Sequence, residues 1–258
     1  PTHLPAMPLR LLAALAAAFL AASGNAAAQE KPLAFTGARI IPIAGLPVEN
    51  GVLILQGGRI LAVGPAASTA IPAGAEVRDA RGKVIMPGLV DSHSHIGGAS
   101  GADGASPVQP EVRVLDAIDV RHASIQKAQA GGITTVNVMP GSGHLISGQT
   151  LYLKLRDGRV IDDLLIRLSD GSTAGGLKMA NGTNSIRTPG GPFPGSRAKS
   201  AALVREQFVK AQEYKARRER AGNDPEKLPP RDLALEMLVE VLEGRRIVQH
   251  HTHRHDDI

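Results

Sequence analysis

The chain has 258 residues, 43% of them apolar and 21% charged, with a net charge of +5. That balance excludes a disordered chain and supplies enough apolar side chains for a sizeable core. Four Phe, two Tyr and no Trp leave the core to Val, Ile, Leu and Ala, the residues of buried parallel strands and their covering helices.

Residues 1–28 read as a secretory signal peptide. Arg10 precedes the apolar run Leu11 to Ala22, and Ala26-Ala27-Ala28 offers a small-residue cleavage site. The run is too short to span a membrane. In this reading Met7 is the natural start and Pro1 to Ala6 lie upstream of it. With no cysteine there is neither a lipid-bearing Cys nor a disulfide, so we expect an exported protein without a membrane anchor, periplasmic in a bacterium.

Residues 31–83 make a small β unit. Leu33 to Ile41 alternates as a strand, and Val52 to Leu55 and Arg59 to Val63 flank Gln56-Gly57-Gly58 as a tight hairpin. A short strand at Glu76 to Asp79 leads through Arg81-Gly82 to Val84, where a second region, residues 84–258, begins. There the periodicity predicts a helix from Val112 to Ala130, stopped by Gly131-Gly132, and a buried strand from Ile133 to Val138. Leu164 to Leu168 and Gly176 to Ala180 are further strand candidates, and the Gly/Pro-rich stretch Arg187 to Arg197 suits a lid. Helices follow at Ala198 to Ala221 and Arg231 to Glu243, then a strand from Arg246 to His250.

Strands alternating with helices imply βα units on a parallel sheet. Candidate ligands at strand C-terminal ends favour a (β/α)8 TIM-like barrel, whose sites gather at that face. Five barrel strands can be counted, at Val84, Ile133, Leu164, Gly176 and Ile247, so the expected fold is α/β with an incomplete barrel, an N-terminal portion of eight strands. The basic stretch Arg205 to Arg220 interleaves Glu with Arg and reads as a solvated helix face, so no nucleic acid partner is expected.

The run Val84 to Ser92 ends in His93-Ser94-His95. In a strand, residues two apart point to one side with Cα atoms roughly 6.5–7 Å apart, so both imidazoles can reach one metal ion. Together with LILQGGRILAVG, AGGITTVNVMPGSG, GLKMANGTN and IVQHHTHRHDDI, the element PGLVDSHSH resembles the metal-dependent amidohydrolase superfamily, in its imidazolonepropionase-like and prolidase-like branch. The resemblance runs from about residue 33 to 258. It implies that residues 31–83 contribute to a β-sandwich and that the barrel carries one or two divalent ions, zinc first, with manganese or iron open. It implies His93, His95 and His251 as ligands, and Lys178 as a lysine carboxylated by CO₂ that bridges two metals. His253 is expected to face substrate or to sit behind the ligands, with direct ligation left open, and His144, in a Gly-rich loop, either touches substrate or is a solvent-exposed turn residue. His122 is read as an uninvolved helix residue, and Asp256 and Asp257 as helix N-terminal carboxylates without a catalytic role.

Amide carbonyls resist neutral water, and a divalent ion overcomes this by lowering the pKa of water to about 7 and polarising the carbonyl. The expectation is therefore an exported hydrolase that cleaves a C–N bond (amide, cyclic amide or dipeptide-like) in a small molecule with metal-activated water. A homo-oligomer is left open. The rival from another class is a catalytically inactive metal- or solute-binding protein, or an inactive fragment.

Overall fold

A computed structural model of the chain describes residues 31–99, 104–186, 193–253 and 255–257. The expected signal peptide and most of the expected lid lie outside them. The chain divides into two compact units, at Pro87/Gly88.

The first unit is one five-stranded sheet. Its strands are β1 (Leu33–Ile40), β2 (Val48–Gln56), β3 (Arg59–Pro65), β4 (Glu76–Asp79) and β5 (Val84–Ile85). The order is β3-β2-β1-β4, with β5 also on β1. Gly57 and Gly58 both adopt positive φ (57° and 73°), the conformation a two-residue hairpin turn demands and glycine supplies without strain. Ala34, Val52 and Ile54 form one small core, and Ala38, Ile40 and Ala80 another.

Val84 and Ile85 correct the sequence reading. They pair in parallel with Arg39 and Ile40 of β1, so they close the first sheet instead of opening the second region. Pro87 has no N–H with which to extend a ladder, and the new strand starts after it. Gly88 then passes so close to Thr134 that an added Cβ would lie 2.2 Å from its side chain.

The second unit holds two three-stranded sheets. One has the order β6 (Leu89–Ser94), β7 (Ile133–Val138), β9 (Leu151–Lys154); the other runs β11 (Ile247–His251), β10 (Gly176–Ala180), β8 (Ile146–Gln149). The β6/β7 and β10/β11 pairs are parallel, whereas β8 and β9 run antiparallel to their partners. No closed barrel is formed among the described residues. The ribbon of β8 and β9 is nearly continuous and links the two sheets through Thr150, whose N–H donates to Gly176 O at 2.8 Å while its Oγ1 accepts from Gly176 N at 2.8 Å.

That ribbon was not legible in the sequence, and the strand expected at Leu164 to Leu168 is absent. A 3₁₀ turn occupies Ile161–Asp163, Leu164 plugs into the core at 1% exposure, and the residues after it make only isolated bridges. The helix expected from Val112 to Ala130 shortens to α1 (Ala123–Ala130), preceded by a 3₁₀ turn at Val114–Asp116. Asp119 Oδ1 accepts the Arg121 N–H at 2.9 Å, and His122 Nδ1 accepts the Ser124 N–H as the N-cap. Such side-chain bonds compete with helix continuation. Leu115, Ile118 and Val120 still pack against the core, which is why their spacing looks helical.

The remaining helices are α2 (Thr183–Ile186), α3 (Arg197–Ala221) and α4 (Leu233–Leu242). Ser196 caps α3 by accepting from Lys199 N, and Asp232 caps α4 by accepting from Leu235 N. Both helices cover the β10/β8 sheet, burying Ala211, Tyr214 and Leu238 against Ile146, Leu177 and Met179. Tyr214 is 2% exposed with Arg218 over its ring, so it offers no platform on which a base could stack. No helix among the described residues is long and apolar enough to cross a membrane.

Close approach at the sheet junction yields a stability prediction. A Cβ on Gly175 would sit 2.1 Å from Thr150 O, a backbone atom that cannot swing aside. Gly175→Ala should cost about 1–3 kcal/mol, read as a lowered urea midpoint at unchanged slope. An unchanged midpoint would show that the ribbon yields.

Candidate metal centre

Register on β10 and β11 decides which side chains meet. Lys178 lies opposite Gln249, and Ala180 opposite His251. Neighbours in a parallel ladder share a face and alternate along the strand, so Lys178, Gln249 and His251 point one way. Leu177 and Met179 point the other way, into the helix-covered core. His250 shares that second face and lines a cavity of about 640 Å³ together with Met179, Arg197, Ser200, Val204 and Asp256.

On the first face the imidazoles converge. The rings of His93 and His95 stand 5.2 Å apart, those of His93 and His251 6.1 Å, and those of His251 and His253 4.5 Å. Lys178 Nζ lies 3.5 Å from His93 Nε2. The structure thus brings together five residues singled out in the sequence: His93, His95, Lys178, His251 and His253. His144 lies in the loop before β8. It is 4% exposed with its ring 5.3 Å from that of Phe193, so it is not a solvent-exposed turn residue. His122 proves to be the cap of α1, and Asp256 pairs with Arg197 at 3.2 Å.

Each histidine is oriented by a neighbour. His95 Nδ1 lies 2.7 Å from Met139 O. A carbonyl can only accept, so Nδ1 carries a proton and Nε2 is the nitrogen left to face a ligand. His93 N–H donates to Asp91 Oδ1 at 3.0 Å, which pins the backbone at the first ligand. One of His251 Nε2 and His253 Nε2 donates to the other across 3.1 Å.

Lys178 is the exceptional group. It is 2% exposed, and among the described residues no carboxylate is within ion-pair distance of it; its contacts are His93 and, at 3.1 Å, Met139 Sδ. Burial brings its amine down to about 8. Burial also lowers His93 and His251, with the nearby Lys178 charge adding to it, and His250 follows for the same two reasons. All these shifts favour unprotonated nitrogen, the form that binds metal.

Do these groups fit a divalent ion? Among the described residues, no three His, Cys, Asp or Glu side chains stand ready around one point. The donor chemistry nevertheless fits: several imidazoles, two of them shifted toward the neutral form, and a buried amine with no counter-ion among the described residues, which as a carbamate would supply the missing anionic oxygen. The sequence offered no signal for Asp91, on β6, or Met139, just after β7, beyond their places in the PGLVDSHSH and AGGITTVNVMPGSG segments.

The low affinity of Lys178 for its proton has a sign that can be tested. Unfolded, the amine holds its proton up to about 10.5; folded, only to about 8. The unfolded state therefore binds more protons between about 8 and 10.5, and below 8, where both states are protonated, the native state carries the full penalty. In CO₂-free, metal-free buffer, Lys178→Met should raise stability at pH 7 by ~1–3 kcal/mol, the gain shrinking between pH 8 and 10.5. A variant less stable than the parent at pH 7 would contradict a buried, unpaired charge.

No family model matches the chain. The amidohydrolase tasK of Hapsidospora irregularis is 29% identical over 73% of this chain, and an imidazolonepropionase of a Methylobacterium species is 36% identical over 34% of it. The chain spans only 22% and 20% of those two proteins. A crystal structure of an amidohydrolase from Thermotoga maritima superposes with a TM-score of 0.76 and 29% identity, covering 87% of this chain and 59% of that one. Further relatives are named deaminases and dihydroorotases, which like the others are hydrolases acting on C–N bonds.

Proposed function

The homologues and structural neighbours of this chain are amidohydrolases, in keeping with the metal-dependent superfamily, and from that premise we propose that it serves an exported, metal-dependent hydrolysis of a C–N bond in a small molecule. The observation that carries the reading is the buried Lys178 amine, without a carboxylate partner among the described residues, beside the imidazoles of His93 and His251. The two sheets are read as consecutive parts of one (β/α)8 wall, with these residues at its C-terminal rim. Export rests on Arg10, the apolar run Leu11 to Ala22 and the alanines before Gln29.

His93, His95 and His251 would hold the ion through neutral nitrogens, and Lys178 would join them after carboxylation. In that step the amine lone pair forms a bond to the carbon of CO₂, and the nitrogen releases a proton to solvent. Roughly a tenth of an amine with a pKa near 8 is neutral at pH 7, against well under a thousandth of an ordinary lysine. When bound, the ion, most simply zinc, lowers the pKa of water to about 7 and polarises the carbonyl of an amide, cyclic amide or dipeptide-like substrate. His95 stays in one tautomer through Met139 O, and Asp91 fixes the backbone of His93. His253 Nε2, 3.1 Å from His251 Nε2, is placed to hold or pass a proton next to the ligand sphere.

The test uses the full-length protein against a panel of amides, hydantoins and dipeptides. Turnover should vanish on chelation and return with Zn²⁺ or Mn²⁺, and His93→Ala should lower kcat/KM at least 100-fold. A His93→Ala protein with parental metal content and turnover would remove the site. Tight zinc binding without turnover of any C–N substrate would favour an inactive binding protein.

A further inference from the structure

Met139 stands one residue beyond β7 and touches two groups of the site at once. Its N–H donates to Ser94 O at 2.9 Å, which ties the end of β7 to β6 immediately before His95. Its carbonyl accepts from His95 Nδ1 at 2.7 Å, while its Sδ receives Lys178 Nζ at 3.1 Å. The residue is 3% exposed, so neither contact competes with bulk water.

We infer that Met139 is a positioning residue for both: its backbone sets the tautomer of His95, and its thioether aims the Lys178 amine at His93. This rests on the metal-centre reading above. A lysine has four rotatable bonds and must be held if its nitrogen is to stay in one place. A carboxylate would hold it as an ion pair, keeping it protonated and repelling the anion formed on carboxylation. A leucine would fill the space and offer nothing to aim at. A thioether is a weak, uncharged, polarisable acceptor, strong enough to orient the amine and too weak to neutralise it. The backbone arm needs no particular side chain, so the two arms separate experimentally.

The test compares the full-length parent with Met139→Leu, which keeps the volume and removes the sulfur. Zinc affinity is measured by chelator competition, carboxylation by the ¹³C carbamate signal after equilibration with ¹³C-bicarbonate, and folding by thermal midpoint. The leucine variant should bind zinc tenfold or more weakly and lose most of the carbamate signal, with its midpoint within a few degrees of the parent. Selenomethionine-labelled parent, which keeps a soft acceptor at position 139, should retain both. Parental zinc affinity and carbamate signal in Met139→Leu would overturn the side-chain arm. The backbone arm is read without mutation, from ¹⁵N spectra of the metal-free parent, where the His95 ring should carry its proton on Nδ1; a proton on Nε2 would overturn it. A parent that takes up neither zinc nor CO₂ would defeat the metal-centre reading and this inference together, a result set apart by appearing in the unmutated chain.

Discussion

A lysine amine almost wholly withdrawn from water, with no carboxylate among the described residues to answer its charge, is the constraint around which the second unit is arranged. Burying an ammonium without a partner is costly enough that the group tends to give up its proton instead. Lys178 is moved partway in that direction, its amine brought down to about 8, amid further bases. Because His93, His251 and His250 feel both desolvation and the same positive neighbour, each is driven toward its neutral form. Such a patch is unfavourable as a structural device and useful as a ligand set. Under the proposed function, its presence in a chain similar to C–N hydrolases follows from what the nitrogens would bind.

The scaffold earns this placement through ladder register. Parallel pairing of β10 with β11 sets Lys178 and His251 on one face and delivers Met179 to the helix-covered core. The ribbon of β8 and β9 links that sheet to the β6/β7 pair, which carries His93 and leads directly into His95. Glycines sit where strands come closest: Gly88 against Thr134, Gly175 against Thr150 O, and Gly176 against Ile247 O. A side chain at any of these would push apart the strands on which the imidazoles depend.

Much of this could be read from residues alone, and the exceptions have physical causes. His93 and His95 stand out because an apolar run ending in HxH has few structural uses, and the helices expected at Ala198 to Ala221 and Arg231 to Glu243 match α3 and α4 to within a few residues. Lys178, His251 and His253 were legible through family resemblance, not through spacing. The long helix before Gly131 was over-read, since Asp119 and His122 bond locally to the backbone while the apolar spacing continues past them. Residues 146–154 were missed because Gly148 and Thr150 look like loop chemistry, although both lie in a paired ribbon. Val84 and Ile85 were assigned to the wrong unit because nothing in an apolar run reveals which sheet it will join before Pro87 interrupts it. Met139 gave no signal because half its role belongs to its carbonyl, which every residue has.

The decisive property of these nitrogens is whether they share an ion. Anomalous diffraction at the zinc edge, from crystals of the full-length protein grown with Zn²⁺ and bicarbonate, measures this directly. It should show density within about 2.0–2.2 Å of His93 and His95 nitrogens, with a carbamate on Lys178 and His251 completing the sphere. Zinc bound elsewhere, with Lys178 unmodified and the imidazoles empty, would contradict it.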